Sequence, residues 1–124
     1  MKRSIFLVLA SLVALCTTAA QANIQSNWGV NIQSCVVNQN GSGNTNGINV
    51  VYVNTHPSAA TEVDFLVGYR HHRYILRDTG TFTKGAVINH NLANALVGYA
   101  WEGPTPNLCE VNRVVLANGR VLGP

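Results

Sequence analysis

The sequence predicts an all-β domain: an antiparallel β-sandwich of immunoglobulin-like topology with one disulfide, the alternative being a small β-barrel. Short runs of strand-forming residues alternate with turn signals at intervals of roughly eight to twelve residues, which is typical of such domains. No segment shows a clear helical period. Two cysteines, Cys35 and Cys109, lie near opposite ends of the domain and can link distant strands.

The first 22 residues have the pattern of a secretory signal peptide. Lys2 and Arg3 precede an apolar run over residues 5–15, and Ala20-Gln21-Ala22 gives the small-x-small pattern before a cleavage site. The apolar run is too short to span a bilayer as a mature helix. The sequence therefore predicts a signal peptide over residues 1–22 and a single domain over residues 23–124. We expect a periplasmic or secreted protein with no membrane span after signal removal.

The charge of the predicted domain is close to zero. Of the eight lysines and arginines, Lys2 and Arg3 belong to the signal, and the remaining six face five acidic residues, a net charge of +1. Bulk electrostatics therefore give little support to binding of a polyanion, and no nucleic-acid partner is predicted.

The two cysteines of the predicted domain are expected to pair. An exported chain with two cysteines most simply forms one disulfide, Cys35–Cys109, whereas two free buried thiols are the alternative. The pair would close a span of 74 positions. Loop-closure entropy gives roughly 4 kcal/mol as an upper figure for such a bridge.

The N-terminal third of the domain predicts two strands around a polar loop. Residues 30–37 form the first strand, and the Asn- and Gly-rich residues 38–47 are predicted to be an exposed, mobile loop. Residues 48–54 are β-branched and place apolar groups on both faces, which predicts a central strand covered on both sides. His56-Pro57 ends this strand.

A β-hairpin over residues 62–80 organises the chain. Alternate residues of its first strand are apolar: Val63, Phe65, Val67 and Tyr69. This period of two predicts one buried face. If residues 70–73 form a four-residue loop, Tyr69 lies opposite Tyr74 and Val67 opposite Leu76, so that the apolar faces coincide.

The residues that follow the hairpin predict one further strand. Phe82 is a candidate core residue, and residues 86–92 alternate, with Ile88, His90 and Leu92 on one side. His90 is therefore predicted to be buried and hydrogen-bonded. Residues 94–101 are ambiguous and compatible with a helical turn.

The C-terminal segment predicts a last hairpin. Residues 108–117 form a strand whose alternation shifts near Arg113, which predicts a β-bulge there. Asn118-Gly119 is a tight-turn signal, and residues 120–122 form a short final strand.

Positive charge concentrates on the organising hairpin. The candidate partner-binding residues are Arg70, His71, His72, Arg73 and Arg77. They predict a docking surface for an anionic envelope or extracellular partner, such as a glycan, a lipid head group or an acidic protein. The alternative is a solvated edge whose charges deter strand pairing, which is the more general role.

The triplet Asp78-Thr79-Gly80 resembles the motif of aspartic proteases. That chemistry needs two carboxylates sharing a proton, so this chain would have to dimerise. The context is unsuitable, because Arg77 precedes the triplet and Thr81 follows it. The preferred interpretation is a turn in which Asp78 accepts backbone N–H bonds. A dimeric aspartyl-type hydrolase stays the alternative function, and no catalytic residue is assigned.

The four histidines do not form a metal-binding pattern. His71 and His72 are adjacent and would point to opposite faces of a strand. Acidic partners do not occur at ligand spacing. Weak metal binding by surface histidines is a further alternative, but no metal ligand and no cofactor is assigned.

Several short segments resemble, in their order, a family of small exported bacterial β-sandwich proteins with no known activity. They cover most of the predicted domain: residues 51–54, 63–69, 78–82, 85–90 and 109–119. The resemblance implies export and a sandwich-like domain, and implies no catalytic residue. Asn118 stands where the family pattern has Asp, and Val121-Leu122 where it has Trp. The sequence as a whole favours a non-catalytic binding domain.

Overall fold

The protein folds into two antiparallel sheets packed face to face, as seen in a computed structural model that describes residues 28–124 apart from the side chains of residues 93–95. The predicted signal peptide lies outside the described residues. Seven strands follow in chain order: β1 Val30–Gln39, β2 Asn44–Asn54, β3 Ala60–Tyr69, β4 His72–Phe82, β5 Val87–Ala100, β6 Leu108–Leu116 and β7 Val121–Leu122. Within the described residues no helix is long and apolar enough to cross a membrane.

The strand order confirms the predicted immunoglobulin-like sandwich. One sheet has the order β1-β2-β5 and the other β4-β3-β6-β7. The sheets do not close into a barrel, so the alternative fold is wrong. The fourth strand pairs with β3, whereas in the seven-stranded constant-type immunoglobulin order it belongs to the other sheet. The chain crosses between the sheets after β2, β4 and β5.

The core lies between the sheets and is built from alternate residues of nearly every strand. Tyr52 of β2 and Phe65 of β3 are fully buried, with ring centroids 5.0 Å apart in an edge-to-face arrangement. Phe82 is buried against the other side of Tyr52, at 5.7 Å, which confirms it as a core residue. The predicted apolar row is also buried: Val63, Phe65, Val67 and Tyr69.

The predicted disulfide is present. Cys35 of β1 and Cys109 of β6 are bonded, with their Cα atoms 6.7 Å apart. Because the two strands belong to different sheets, the bridge links the sheets covalently. A disulfide is typical of a protein in an oxidising compartment, which fits a periplasmic or extracellular location.

The organising hairpin has a different register from the predicted one. Tyr69 pairs with His72 and Val67 with Tyr74, so the loop is the two-residue turn Arg70-His71. Both turn residues have positive φ, as in a type I′ turn, and this turn type matches the right-handed twist of the paired strands. The error is two positions, an even number, so the same faces still coincide, and Leu76 faces Phe65 in the core.

Three other predicted segments differ from the observed ones. Only residues 40–43 lie outside a strand in the predicted loop 38–47, because Asn44 and Asn46 pair with β5 through their backbones. The ambiguous residues 94–101 continue β5 as far as Ala100 and contain no helix. β2 is central, as predicted, but Val51 and Val53 on its outer face are only partly buried.

The C-terminal hairpin is as predicted. Asp64 pairs with Arg113 and Phe65 with Val111, so Asn112 is the extra residue of a bulge next to Arg113. Gly119 has a φ of 90° in the turn, and its N–H donates to Leu116 O. The turn leads into the short strand β7.

Candidate functional site

The cations of the predicted docking surface fall into two groups. The turn between β3 and β4 and the start of β4 bring Arg70, His71, His72 and Arg73 together at one end of the sandwich. Arg77 lies further along β4, on the outer face of the four-stranded sheet, where it donates to Asp64 at 3.0 and 3.2 Å. The structure therefore separates Arg77 from the other four cations.

Arg77 belongs to a cluster of opposite charges. Its Nε lies 3.3 Å from Glu62 Oε2, and Arg113 approaches the same oxygen at 3.8 Å. Asp64 is almost fully buried beneath these side chains. The hydrogen bonds that Arg77 donates to Asp64, with the negative charges of Asp64 and Glu62, raise the pKa of the Arg77 guanidinium. Arg77 is thus engaged within the protein, and its charge is not free for a partner.

Arg70 is also paired, but at the end of the sandwich. Its Nε donates to Glu102 Oε2 at 3.0 Å, and its guanidinium carbon lies 5.9 Å from the centre of the Tyr99 ring. Tyr99 is 43% exposed, and its ring centroid lies 6.2 Å from that of Tyr74. Desolvation and the neighbouring Tyr99 raise the pKa of Tyr74, against a smaller opposing effect of Arg70.

Three basic side chains at this end remain without an acidic partner. His71, His72 and Arg73 are exposed, and no carboxylate of residues 28–124 lies within ion-pair distance of them. They are carried by a two-residue turn whose central residues both have positive φ, 52° at Arg70 and 65° at His71, as a type I′ hairpin turn requires. Asparagine and glycine are the usual residues at these positions, so Arg70 and His71 adopt this conformation at a steric cost.

A shallow polar pocket of about 220 Å³ opens beside this turn. We call it the hairpin pocket; it is lined by Tyr69, Arg70, His71, Glu102, Thr105 and Asn107. The first three residues come from the hairpin and the last three from the segment between β5 and β6. Tyr99 and the residues of that segment were not among the predicted site residues, because the sequence of the segment indicates only the end of a strand.

Hydrogen bonds fix the wall of the hairpin pocket formed by the segment between β5 and β6. Tyr69 Oη donates to Gly103 O at 2.8 Å and accepts from Glu102 N at 2.6 Å. Trp101 Nε1 donates to Val37 O at 3.1 Å, and Val37 N donates to Pro104 O at 2.8 Å. The wall is therefore held to both sheets.

Gly68 allows a close approach at the base of this wall. Asn107 N donates to Gly68 O at 3.0 Å. A Cβ atom at Gly68 would lie only 2.8 Å from Asn107 Oδ1, so any larger residue would displace Asn107. Arg73 pairs with Gly68 across the hairpin, which places it next to this contact.

Asp78 lies in a second polar cluster, away from the hairpin turn. Its Oδ2 accepts hydrogen bonds from Tyr52 Oη at 2.7 Å and pairs with His90 Nδ1 at 2.7 Å. Asp78 is buried inside strand β4, so the prediction that it caps a turn is wrong. Burial, with the hydrogen bond to the Asp78 carboxylate and its negative charge, raises the pKa of Tyr52 well above its usual value.

His90 is hydrogen-bonded as predicted, but it is not buried. Its side chain is 48% exposed, because β5 is an edge strand and the ring lies at the margin between the sheets. Of the other histidines, His56 accepts from Ser58 N at 3.1 Å. In the described part of the chain no three His, Cys, Asp or Glu side chains come together as metal ligands do.

Comparisons with known proteins identify no relative. No family model, no curated protein and no solved structure matches this chain. The resemblance to small exported bacterial proteins stays a prediction.

Proposed function

We propose that this protein is an exported, non-catalytic binding domain that holds an anionic partner at the hairpin end of its four-stranded sheet. The observation that carries the proposal is the difference between paired and unpaired cations. Arg77 and Arg70 are neutralised by carboxylates at 3.0 Å, whereas His71, His72 and Arg73 are not. Export rests on the predicted signal peptide, and the disulfide supports it.

The free cations lie where a partner can reach them. His71 lines the hairpin pocket, His72 and Arg73 follow it in the chain, and exposed Tyr99 contacts Arg70 of the lining. Carboxylate, phosphate or sulfate groups form charge-assisted hydrogen bonds with arginine and with protonated histidine.

Binding of anionic polymers to the domain, measured at two ionic strengths, tests the proposal. The probes are dextran sulfate and polygalacturonate, with unmodified dextran as the neutral reference. Arg73→Ser should weaken binding several-fold and reduce its salt dependence, while the melting temperature stays unchanged, because an exposed charge contributes little to stability.

The matched control is Arg120→Ser, which removes an exposed cation from the β6–β7 turn. This variant should bind as the wild type does. Equal losses of polymer binding in both variants would mean that net charge alone attracts the polymers. Wild-type polymer binding by Arg73→Ser would contradict the proposed site.

A further inference from the structure

The hairpin pocket is the size of a single ring. Its volume of about 220 Å³ is below the roughly 300–1,000 Å³ of pockets that enclose drug-sized ligands. The pocket is open to solvent at the end of the sandwich. A ligand that enters it can therefore be one unit of a longer chain whose neighbouring units continue across the surface.

The lining both donates and accepts hydrogen bonds. Arg70 and His71 supply donors, Glu102 supplies a carboxylate acceptor, and Thr105 and Asn107 supply both. A phosphate or sulfate accepts only, so it offers no donor to the Glu102 carboxylate. A sugar hydroxyl both donates and accepts, so several hydroxyls on one ring match this mixed lining.

Paired and unpaired basic side chains occur together in the pocket lining and in the residues that follow it in the chain. Glu102 pairs with Arg70 at 3.0 Å, so these two lining charges offset each other. His71 of the lining has no acidic partner within residues 28–124, and neither have His72 and Arg73, which follow it in the chain. A ligand with an uncharged ring and an acidic substituent fits this arrangement.

An aromatic surface lies next to the pocket. Tyr99 is 43% exposed and contacts Arg70 of the lining, and the Tyr74 ring lies beside it. Tyrosine rings combine an apolar face with a polar hydroxyl, which suits a ligand with both C–H and O–H groups. A pyranose ring has this composition.

The pocket exists before any ligand arrives. Tyr69 Oη bonds to both Gly103 O and Glu102 N, and Trp101 anchors the same segment to β1. A wall held in this way loses little conformational entropy when a ligand binds, so that even a small ligand can bind there.

We infer that the anionic partner is an acidic polysaccharide built from uronic acid units. One pyranose ring occupies the hairpin pocket with its hydroxyls on Glu102, Thr105 and Asn107, while the carboxylates of the chain pair with Arg73 and His72. This inference rests on the proposed function, because it specifies the chemistry of the same site.

Isothermal titration of the domain with polygalacturonate, dextran sulfate, unmodified dextran and vesicles containing phosphatidylglycerol tests the inference. The key variant is Thr105→Val, which removes one hydroxyl from the pocket and keeps both shape and charge. It should weaken polygalacturonate binding by roughly two- to tenfold, the effect of one lost hydrogen bond. It should leave dextran sulfate binding unchanged.

The control variant is Thr83→Val, at an exposed threonine just after the end of β4 that is far from the hairpin turn, and it should change nothing. Tighter binding of dextran sulfate or vesicles than of polygalacturonate, with no effect of Thr105→Val, would overturn the sugar assignment and leave the proposed anion-binding function standing. If none of the acidic probes binds, both fail.

Discussion

The two sheets of the sandwich present different polar chemistry to solvent. The strands of the three-stranded sheet contain no Asp, Glu, Lys or Arg, whereas β3, β4 and β6 contain seven such residues. The outer face of the three-stranded sheet carries amide pairs: Asn49 donates to Asn89 at 3.0 Å and Asn38 to Asn91 at 3.2 Å. That face therefore attracts neither sign of charge.

The four-stranded sheet satisfies most of its charges internally. Glu62, Asp64, Arg77 and Arg113 neutralise one another on its outer face. Three basic side chains stay unpaired next to one another at the hairpin end, whereas Lys84 and Arg120 are single exposed cations without an ion pair in the turns after β4 and β6. Unpaired basic groups are therefore most concentrated at the hairpin end, although the domain has almost no net charge.

The two sheets share one core, and Phe65→Ala would empty a site in it. Phe65 is fully buried against Tyr52 of the other sheet. We expect a loss of about 3–5 kcal/mol in the free energy of unfolding, the usual effect of emptying a core aromatic site. Chemical denaturation measures it. Ile75→Ala, at a 53% exposed site on the outer face of β4, is the control and should change stability little.

The sheets also share a polar contact, which Asp78→Asn tests. The substitution keeps the shape of the side chain but weakens its bonds with Tyr52 and His90. We expect a loss of about 1–3 kcal/mol, with polymer binding unchanged in the folded protein. Glu110→Gln, in the same sheet, is the control. A wild-type denaturation midpoint for Asp78→Asn would show that the contact adds nothing, and a peptidase activity lost in this variant would favour the alternative hydrolase.

Tyr52 makes the shared core sensitive to alkaline pH. Its pKa is raised in the folded state, so above pH 10 the unfolded chain releases this proton first and the folded state is penalised. Stability should fall by up to about 1.4 kcal/mol per pH unit from this group. Melting curves between neutral and alkaline pH measure the slope. The Tyr52→Phe variant should show a smaller slope, and an unchanged slope would contradict the assignment.

The smallest expected effect concerns the turn that carries the free cations. His71 has a φ of 65°, and glycine adopts this conformation without steric cost. His71→Gly should therefore raise stability by about 0.5–1 kcal/mol while weakening polymer binding. Gly119→Ala, at a φ of 90° in the β6–β7 turn, should do the opposite and destabilise. A destabilised His71→Gly variant would mean that the imidazole itself supports the turn.

Local patterns predicted most of the fold, because the alternation of apolar and polar residues along a strand indicates which of its faces is buried. The hairpin register was wrong by two positions, yet Phe65 and Val67 still face the core, since side chains repeat every two residues. The bulge next to Arg113 was visible as a shift in this alternation. The polar residues Asn44 and Asn46 were missed because strand pairing uses backbone groups, which composition does not reveal.

The candidate site was only half predictable, because it joins segments distant in sequence. The cations of the turn stand together in the chain, but the Tyr69–Glu102 bond links residues 33 positions apart. Arg77 appeared to belong to the cationic group until the structure placed Asp64 beside it. Exposed Tyr99, followed by Glu102 and a proline-bracketed segment, was the available signal for the missing half.

In the proposed function, anions bind at the hairpin end and not on either sheet face. The most direct test is a titration of the isotope-labelled domain with polygalacturonate, followed residue by residue through the backbone amide NMR signals. We predict shifts concentrated at residues 69–74 and 99–107, with Asn49, Asn89 and Asn91 unchanged. Shifts centred on the amide pairs of the three-stranded sheet, or around Arg77 and Arg113, would contradict it.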